Sequence, residues 1–148
     1  MMTKHENNGK CSKCDEIKNR YPGFNEDLWL WFRMMQKSYP ELHISCAGRD
    51  EQEQTLLLHK KATRAPFGKS AHNYGAALDL FFNIPGSSDI YPISKFHAIV
   101  KPNLPHWIEW YGDAKAVFYE LPHIEIKAWR TLLADGKLSL IGNGVKNA

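Results

Sequence analysis

An aspartate interrupts an otherwise apolar stretch in the middle of the chain. Residues 75–82 read "GAALDLFF", which predicts a buried β-strand with Asp79 near its centre. A buried carboxylate is costly unless a cation or hydrogen-bond donors compensate its charge. His72 stands seven residues earlier, and the small residues between the two allow a tight turn. The sequence therefore predicts either a metal ion or a Lys or Arg partner beside this strand.

The size and composition of the chain fit one globular domain. It has 148 residues, of which 43% are hydrophobic and 24% charged. The net charge of +3 comes from scattered Lys and Arg, which argues against a nucleic-acid partner. No apolar window approaches the roughly 18 residues that span a bilayer, and the first residues lack the apolar core of a signal peptide. We therefore expect a monomer that is made in the cytoplasm and does not span a membrane.

The first residues of the chain are polar and rich in turn formers. We predict a flexible lead-in at residues 1–22, a folded domain at 23–140 and a loose tail at 141–148. The lead-in contains "CSKC", in which Cys11 and Cys14 have the spacing of half a zinc site. No second CxxC or spaced His pair completes it, and only His5 lies nearby. The sequence therefore favours thiols without a metal, and an odd total of 3 Cys fits a reducing compartment.

Helical and strand patterns alternate along the rest of the chain. Apolar residues at helical spacing after Asn25 predict a helix that Pro40 ends. Alternation predicts a strand at residues 42–46 with His43 on its solvent side. Further helices are predicted at residues 49–62, 93–103 and 129–137, and further strands at 106–112, 116–120 and 123–129, the first two as a hairpin around Gly112 and Asp113. Short links between the late strands favour an α+β fold, with a small antiparallel sheet flanked by helices in a single domain.

A second group of polar residues lies in "ELPHIEI", at the start of the last predicted strand. The proline cannot donate a ladder hydrogen bond, so the strand is expected to begin at His123, with Glu120 on the preceding turn. Side chains alternate along a strand, which puts His123 and Glu125 on one face. With His72 and Asp79, His123 would complete the three protein ligands of an open zinc site. Glu120 would then be a general base for water, or else a surface glutamate.

The stretch "SAHNYGAALD" resembles the SxHxxGxAxD pattern of a family of zinc peptidases, the D-alanyl-D-alanine carboxypeptidases and dipeptidases. All fixed positions of the pattern are present: Ser70, His72, Gly75, Ala77 and Asp79. "ELPH" looks like the family's downstream ExxH element, and "SCAGRDEQEQ" resembles its upstream segment, an Arg after a strand. The resemblance covers residues 44–125, more than half of the chain. This chain departs from the family pattern just before Arg49. In the family the arginine often follows Gly-Tyr, whereas here it follows "AG".

The resemblance implies a role for each matching residue. His72, Asp79 and His123 would hold Zn²⁺, and Glu120 would activate the water. Arg49 would stabilise negative charge on the substrate carbonyl oxygen, unless it forms a structural salt bridge instead. The candidate substrate-binding residues are Ser70, Trp110 and Tyr111. Capping is the alternative for Ser70, and core packing is the alternative for the two aromatic residues.

Members of this family cleave peptides that contain D-amino acids, chiefly in bacterial peptidoglycan, and some are phage endolysins. Because the sequence has no recognisable export signal, we expect a phage endolysin that cuts the L-alanyl-D-glutamate bond after release from the cytoplasm. A D-alanyl-D-alanine carboxypeptidase or dipeptidase is the alternative. A non-catalytic zinc-binding module is an alternative of another class. Glu120 and Arg49 argue against the module, because a structural zinc site needs neither a base nor an open position.

Overall fold

A small antiparallel sheet forms the centre of the structure, a computed structural model that describes residues 4–63, 65–113 and 120–141. Within these residues the strands are β1 (Leu42–Cys46), β2 (Ala77–Phe82), β3 (Ile108–Trp110) and β4 (His123–Ile126). They lie in the order β1-β2-β4-β3, and each neighbouring pair is antiparallel. The prediction of an α+β fold with a small antiparallel sheet is confirmed.

Five helices surround this sheet in the described part of the chain. They are α1 (Ser12–Lys18), α2 (Glu26–Ser38), α3 (Glu51–His59), α4 (Ile93–Lys95) and α5 (Trp129–Ala134). Helix α4 continues as a π-helical stretch, Phe96–Val100, and a 3-10 turn, Lys101–Asn103. Another 3-10 turn, Ala71–Tyr74, comes directly before β2. None of these described helices has the length and apolar character that crossing a bilayer requires.

Helix α2 supplies much of the apolar core, as its sequence periodicity predicts. The Asn25 side chain accepts a hydrogen bond from the Leu28 backbone N–H at 3.0 Å, which caps the first turn. One face of the helix is buried, through Leu28, Trp31, Phe32 and Met35. These residues belong to the same apolar cluster as the inward-facing residues of the sheet. Burial of this face therefore holds the helix against the sheet.

The N-terminal segment packs more closely than its composition suggests. Residues 12–18 form α1, and Cys11, Cys14 and Tyr21 belong to the buried core, so the expectation of a flexible lead-in is corrected for the described residues from 4 onwards. His43 is also completely buried, although alternation puts it on the solvent side of β1. The reason is that the N-terminal segment covers this face, with the His5 ring 4.9 Å from that of His43.

The end of the chain differs from the prediction in two further respects. Ile141, expected in the loose tail, is 3% exposed, and its backbone N–H donates to the Asn73 carbonyl at 2.6 Å. The last predicted strand ends at Ile126, because α5 begins at Trp129. The strand predicted at residues 116–120, and with it the hairpin, falls mostly outside the described residues.

Candidate metal centre

Asp79 lies where three backbone elements meet. In β2 it pairs with His123 of β4 on one side and with Cys46 of β1 on the other, where the register shifts between Ile44 and Cys46. The 3-10 turn ends at Gly75, whose φ of +64° lets the chain reverse into β2 and brings His72 back over Asp79. The backbone therefore brings together two residues from one motif and one from the other, as the sequence predicts.

The Asp79 carboxylate contacts three groups that carry or can carry positive charge. Its Oδ1 is 3.2 Å from His72 Nε2 and 3.2 Å from His123 Nδ1. Its Oδ2 accepts a hydrogen bond from the Arg49 guanidinium at 3.0 Å. Although burial favours the neutral acid, the charge of His72 and hydrogen bonds from both His hold the pKa of Asp79 well below its usual range. The carboxylate is therefore ionised.

The outer nitrogen of each imidazole is occupied by an acceptor. His72 Nδ1 is 2.6 Å from the Ala47 carbonyl oxygen, and His123 Nε2 is 2.7 Å from Glu125 Oε1. Both oxygens only accept, so these nitrogens carry the hydrogens. In neutral imidazoles, His72 Nε2 and His123 Nδ1 are then bare and face Asp79 Oδ1. Two lone pairs beside a carboxylate oxygen require a proton or a cation between them.

This arrangement fits a zinc ion. Metal-binding His residues typically donate their other N–H to a carboxylate or a backbone carbonyl, as both do here. Nitrogen and oxygen ligands of a tetrahedral Zn²⁺ lie about 3.4 Å apart at the usual bond lengths. The two separations of 3.2 Å to Asp79 Oδ1 are close to that value. The donor types of His72, Asp79 and His123 are those of a zinc site, but among the described residues the group here whose ligand atoms all lie within 4.8 Å of one another is Cys46, His72 and Asp79, without His123.

Protons occupy this centre when no metal does. Burial lowers the pKa of His72, but the charge of Asp79 outweighs it and raises the pKa to about 10. Burial also lowers the pKa of His123, whereas its hydrogen bonds with Asp79 and Glu125 raise it, and the net direction is upward. A metal ion must therefore displace protons from the imidazoles, as metal ligands generally require.

Glu125 is a part of the site to which the sequence analysis gave no role. It is 4% exposed, and its Oε2 accepts hydrogen bonds from the Tyr111 hydroxyl and the Trp129 indole, each at 2.9 Å. Burial raises its pKa, but the hydrogen bond and charge of His123 outweigh that effect, and the net pKa is lowered. The sequence did carry a signal, because Glu125 shares a strand face with His123.

Cys46 is a second residue that the sequence analysis did not include. Its Sγ, a nitrogen of His72 and a carboxylate oxygen of Asp79 all lie within 4.8 Å of one another. However, the sulfur is 3.8 Å from His72 Nδ1, the nitrogen that donates to the Ala47 carbonyl. It also accepts a hydrogen bond from Arg49 Nε at 3.3 Å. Cys46 thus lies beside the nitrogen that faces away from Asp79.

Glu120 and Arg49 face the same small cleft as the three ligands. This cleft has a volume of about 240 Å³. Glu120 Oε2 is 3.9 Å from His123 Nδ1, and the Glu120 side chain is 51% exposed. Arg49 lies between β1 and α3 and is largely buried. Burial lowers the pKa of Arg49, but the charges of Cys46 and Asp79 outweigh that effect, and the net pKa is raised. Arg49 therefore forms a salt bridge and also borders the cleft.

A larger open groove of about 670 Å³ adjoins the cleft. Ser70 lines both, and its hydroxyl also accepts a hydrogen bond from the His72 backbone N–H at 3.3 Å, so it caps the 3-10 turn as well. Tyr111 lines the groove, and its substrate-binding role stays a prediction. Trp110 does not, which corrects its predicted role: it is 5% exposed, and its indole N–H donates to the Leu121 carbonyl at 2.8 Å. The indole is directed into the core because Trp110 lies on the opposite face of the chain from Tyr111.

Comparison with known proteins identifies the fold. No protein-family model and no curated protein matches the sequence. Among solved structures, the crystal structure of the L-Ala D-Glu endopeptidase ChiX from Serratia marcescens has a similar fold, with a TM-score of 0.61. The similarity covers 81% of this chain and 90% of ChiX, at 16% sequence identity. The chain therefore shares the fold of this endopeptidase over 81% of its length.

Proposed function

We propose that this protein is a zinc-dependent peptidase that hydrolyses peptidoglycan stem peptides at the L-alanyl-D-glutamate bond. One observation carries the proposal: His72 Nε2 and His123 Nδ1, whose other ring nitrogens each face an acceptor, both lie 3.2 Å from Asp79 Oδ1. A catalytic zinc site needs three such ligands and an open position. The open side here faces the cleft that Glu120 and Arg49 border.

The sequence motifs and the shared fold support the same activity. The SxHxxGxAxD and ExxH elements resemble those of a zinc peptidase family that acts on D-amino acid peptides. ChiX, whose fold is similar, is named as an L-Ala D-Glu endopeptidase. Fold alone does not define an activity. The proposed activity is therefore argued mainly from the residues that line the cleft.

In the proposed reaction, His72, Asp79 and His123 hold the ion, and Glu120 transfers the proton. A bound Zn²⁺ supplies Lewis acidity and lowers the pKa of water. The Glu120 carboxylate takes a proton from the attacking water and delivers it to the amide nitrogen as the C–N bond breaks. The Arg49 guanidinium, held by Asp79, donates hydrogen bonds toward the carbonyl oxygen as negative charge develops there. Its second role as a salt-bridge partner fixes its position.

The groove beside the cleft suits a substrate with carboxylates. Lys61, Lys69 and Arg130 line it together with Tyr111 and Trp129. Peptidoglycan stem peptides carry free carboxylates on their glutamate and diamino acid residues. Cations at the rim would attract such a peptide, and the aromatic side chains would provide apolar contact along it.

Digestion of purified peptidoglycan, followed by mass spectrometry of the fragments, tests this proposal. New amino-terminal D-glutamate is the expected product, and released D-alanine would instead indicate the carboxypeptidase or dipeptidase alternative. The Glu120→Gln variant, loaded with zinc, is the matched control and should yield little of either product. Wild-type protein that binds zinc at this site and cleaves no D-amino acid peptide would favour the non-catalytic module. The phage-lysis role stays a prediction from the sequence.

A further inference from the structure

A second group of metal-binding side chains lies away from the cleft. His5, Cys11, Cys14 and His43 place one ligand atom each so that all four atoms lie within 4.8 Å of one another. Both cysteines and His43 are completely buried, and His5 is partly buried. None of the four belongs to the proposed catalytic centre. Their grouping is nonlocal, because His43 is on β1 and the other three are in the N-terminal segment.

The distances within this group match those between the ligands of one tetrahedral ion. His5 Nδ1 is 3.3 Å from Cys11 Sγ and 3.6 Å from Cys14 Sγ, and His43 Nδ1 is 3.5 Å from Cys14 Sγ. Sulfur and nitrogen ligands of a tetrahedral Zn²⁺ lie about 3.6 Å apart at the usual bond lengths.

The groups around the four ligands prepare them for a metal. The Cys14 backbone N–H donates to Cys11 Sγ at 3.3 Å, and the Ile44 backbone N–H donates to Cys14 Sγ at 3.4 Å. Such donors favour a thiolate, the form that binds metal, whereas burial raises the pKa of the Cys14 thiol to about 12, so a bound metal must displace its proton. His43 Nε2 is 2.7 Å from the Asn7 side-chain oxygen, which accepts its hydrogen and leaves Nδ1 bare toward Cys14. Sulfur and imidazole both have outer partners of the kind found around metal ligands.

We propose that the N-terminal segment carries a structural Zn²⁺ bound by two thiolates and two imidazoles, those of Cys11, Cys14, His5 and His43. Two sulfurs and two nitrogens form a closed tetrahedral set with no position for a substrate, which is typical of structural zinc. The ion would join residues 5–14 to β1. Because β1 pairs with β2, this clamp would fasten the N-terminal segment to the sheet that carries Asp79.

The spacing of "CSKC" by itself predicts thiols without a metal, because no second CxxC or spaced His pair completes it and only His5 lies nearby. The structure supplies the two partners from different places. His5 lies within the same segment, and His43 is contributed by a strand 29 residues after Cys14. Alternation had placed His43 in solvent, so nothing in the local pattern joined it to the cysteines.

Zinc content of the full-length protein and three variants tests this proposal. After dialysis, the wild type should retain about two zinc ions per chain, and Cys11→Ser/Cys14→Ser and His72→Ala/His123→Ala should each retain about one. The matched control, Cys46→Ser, removes the remaining thiol and should keep both ions. A single zinc that only the cysteine variant loses would support this site and contradict the catalytic one. A wild type whose zinc is wholly lost in His72→Ala/His123→Ala would overturn the N-terminal site.

Cobalt substitution provides a second test that does not depend on how well the cysteine variant folds. Co²⁺ is added to metal-free protein carrying Cys46→Ser, so that the only thiols present are Cys11 and Cys14. A thiolate-to-cobalt charge-transfer band is expected, because the proposed catalytic centre then contains no sulfur. Absence of this band from folded, cobalt-saturated protein would overturn the proposal. So would a Cys11–Cys14 disulfide in protein purified with zinc and without oxidant, detected by mass after alkylation.

Discussion

The Glu125→Gln variant tests how the buried carboxylate positions His123. Glu125 accepts hydrogen bonds from His123 Nε2 at 2.7 Å and from Tyr111 and Trp129 at 2.9 Å. Glutamine fills nearly the same volume, but it has one acceptor oxygen where glutamate has two, and its amide group is a donor. At least one of the three donors would therefore face another donor. The negative charge behind His123 would also be lost.

Two separate effects follow from this change. Loss of an outer partner of a metal-binding His typically lowers metal affinity or activity about 10- to 100-fold, which corresponds to about 1.4–2.7 kcal/mol. A donor left without an acceptor in the buried site costs about 1–3 kcal/mol in the free energy of unfolding. The protein should therefore be less stable and should also bind zinc more weakly at this site.

Competition with a chromophoric chelator measures the zinc affinity. The zinc-binding step that is absent from the titration of the His72→Ala variant belongs to this site. Thermal unfolding of the metal-free protein measures stability separately. Glu109→Gln is the matched control, because Glu109 lies opposite Glu125 on β3 and is exposed, so it should change neither quantity appreciably. A folded Glu125→Gln variant with wild-type zinc affinity would refute the positioning role of Glu125.

Four further predictions concern the site and its supporting turn. Glu120→Gln should lower the rate of peptide cleavage at least about a hundredfold with zinc content unchanged, and an unchanged rate would show that Glu120 is not the base. The pKa of His72 is raised to about 10 in metal-free protein, so zinc binding at neutral pH should release protons, and zinc affinity should increase as pH rises. Calorimetry in buffers with different ionisation heats measures the proton release, and binding without it would contradict the prediction. The shifted pKa values also mean that the stability contributed by the His72–Asp79 pair is complete between the ordinary pKa values of the two groups, 3.8 and 6.5. It declines as pH rises from 6.5 toward 10 and as pH falls below 3.8, which urea unfolding of metal-free protein would detect. Gly75→Ala should lower the free energy of unfolding by about 1–2 kcal/mol. The matched control, Gly86→Ala, should lower it less. Both glycines have positive φ, but of the two only Gly75 has a neighbour that an added Cβ would meet, Phe24 Cα at 3.0 Å.

Local patterns were sufficient for the parts of the fold that local physics determines. The periodicity and cap of α2 predicted its bounds and its buried face, and the apolar run around Asp79 predicted β2. Alternation failed for His43, because it describes which residues share a face and not what covers that face. It failed for Trp110 for a related reason: adjacent residues point in opposite directions, and the sequence does not say which of the two sides is the groove.

The candidate site was predictable as far as its ligands lie in recognisable motifs. Asp79 and His72 are joined by one motif, and His123 belongs to another, so their meeting could be expected. Glu125 and Cys46 acquire their places only through tertiary packing. Glu125 contacts Tyr111 and Trp129 from other elements, and Cys46 reaches Asp79 across the register shift of the sheet.

The two metal sites differ in how strongly the fold itself holds their ligands. Asp79 and His123 are opposite each other in paired strands, and a 3-10 turn with a backbone contact to Ala47 fixes His72. Backbone hydrogen bonds therefore assemble the proposed catalytic site before a metal arrives, and removing the metal should leave the sheet intact. Of the N-terminal ligands, His43 has this support from β1, but the other three lack it. His5 lies outside any described helix or strand, and Cys11 and Cys14 are on or beside a helix of only seven residues, for which isolated helical stability is marginal. At the proposed N-terminal site, the free energy of metal binding would thus largely stabilise the ordered segment. Metal loss there should appear as local unfolding of residues 5–18. Metal loss at the Asp79 site should instead appear as lost activity in a folded protein.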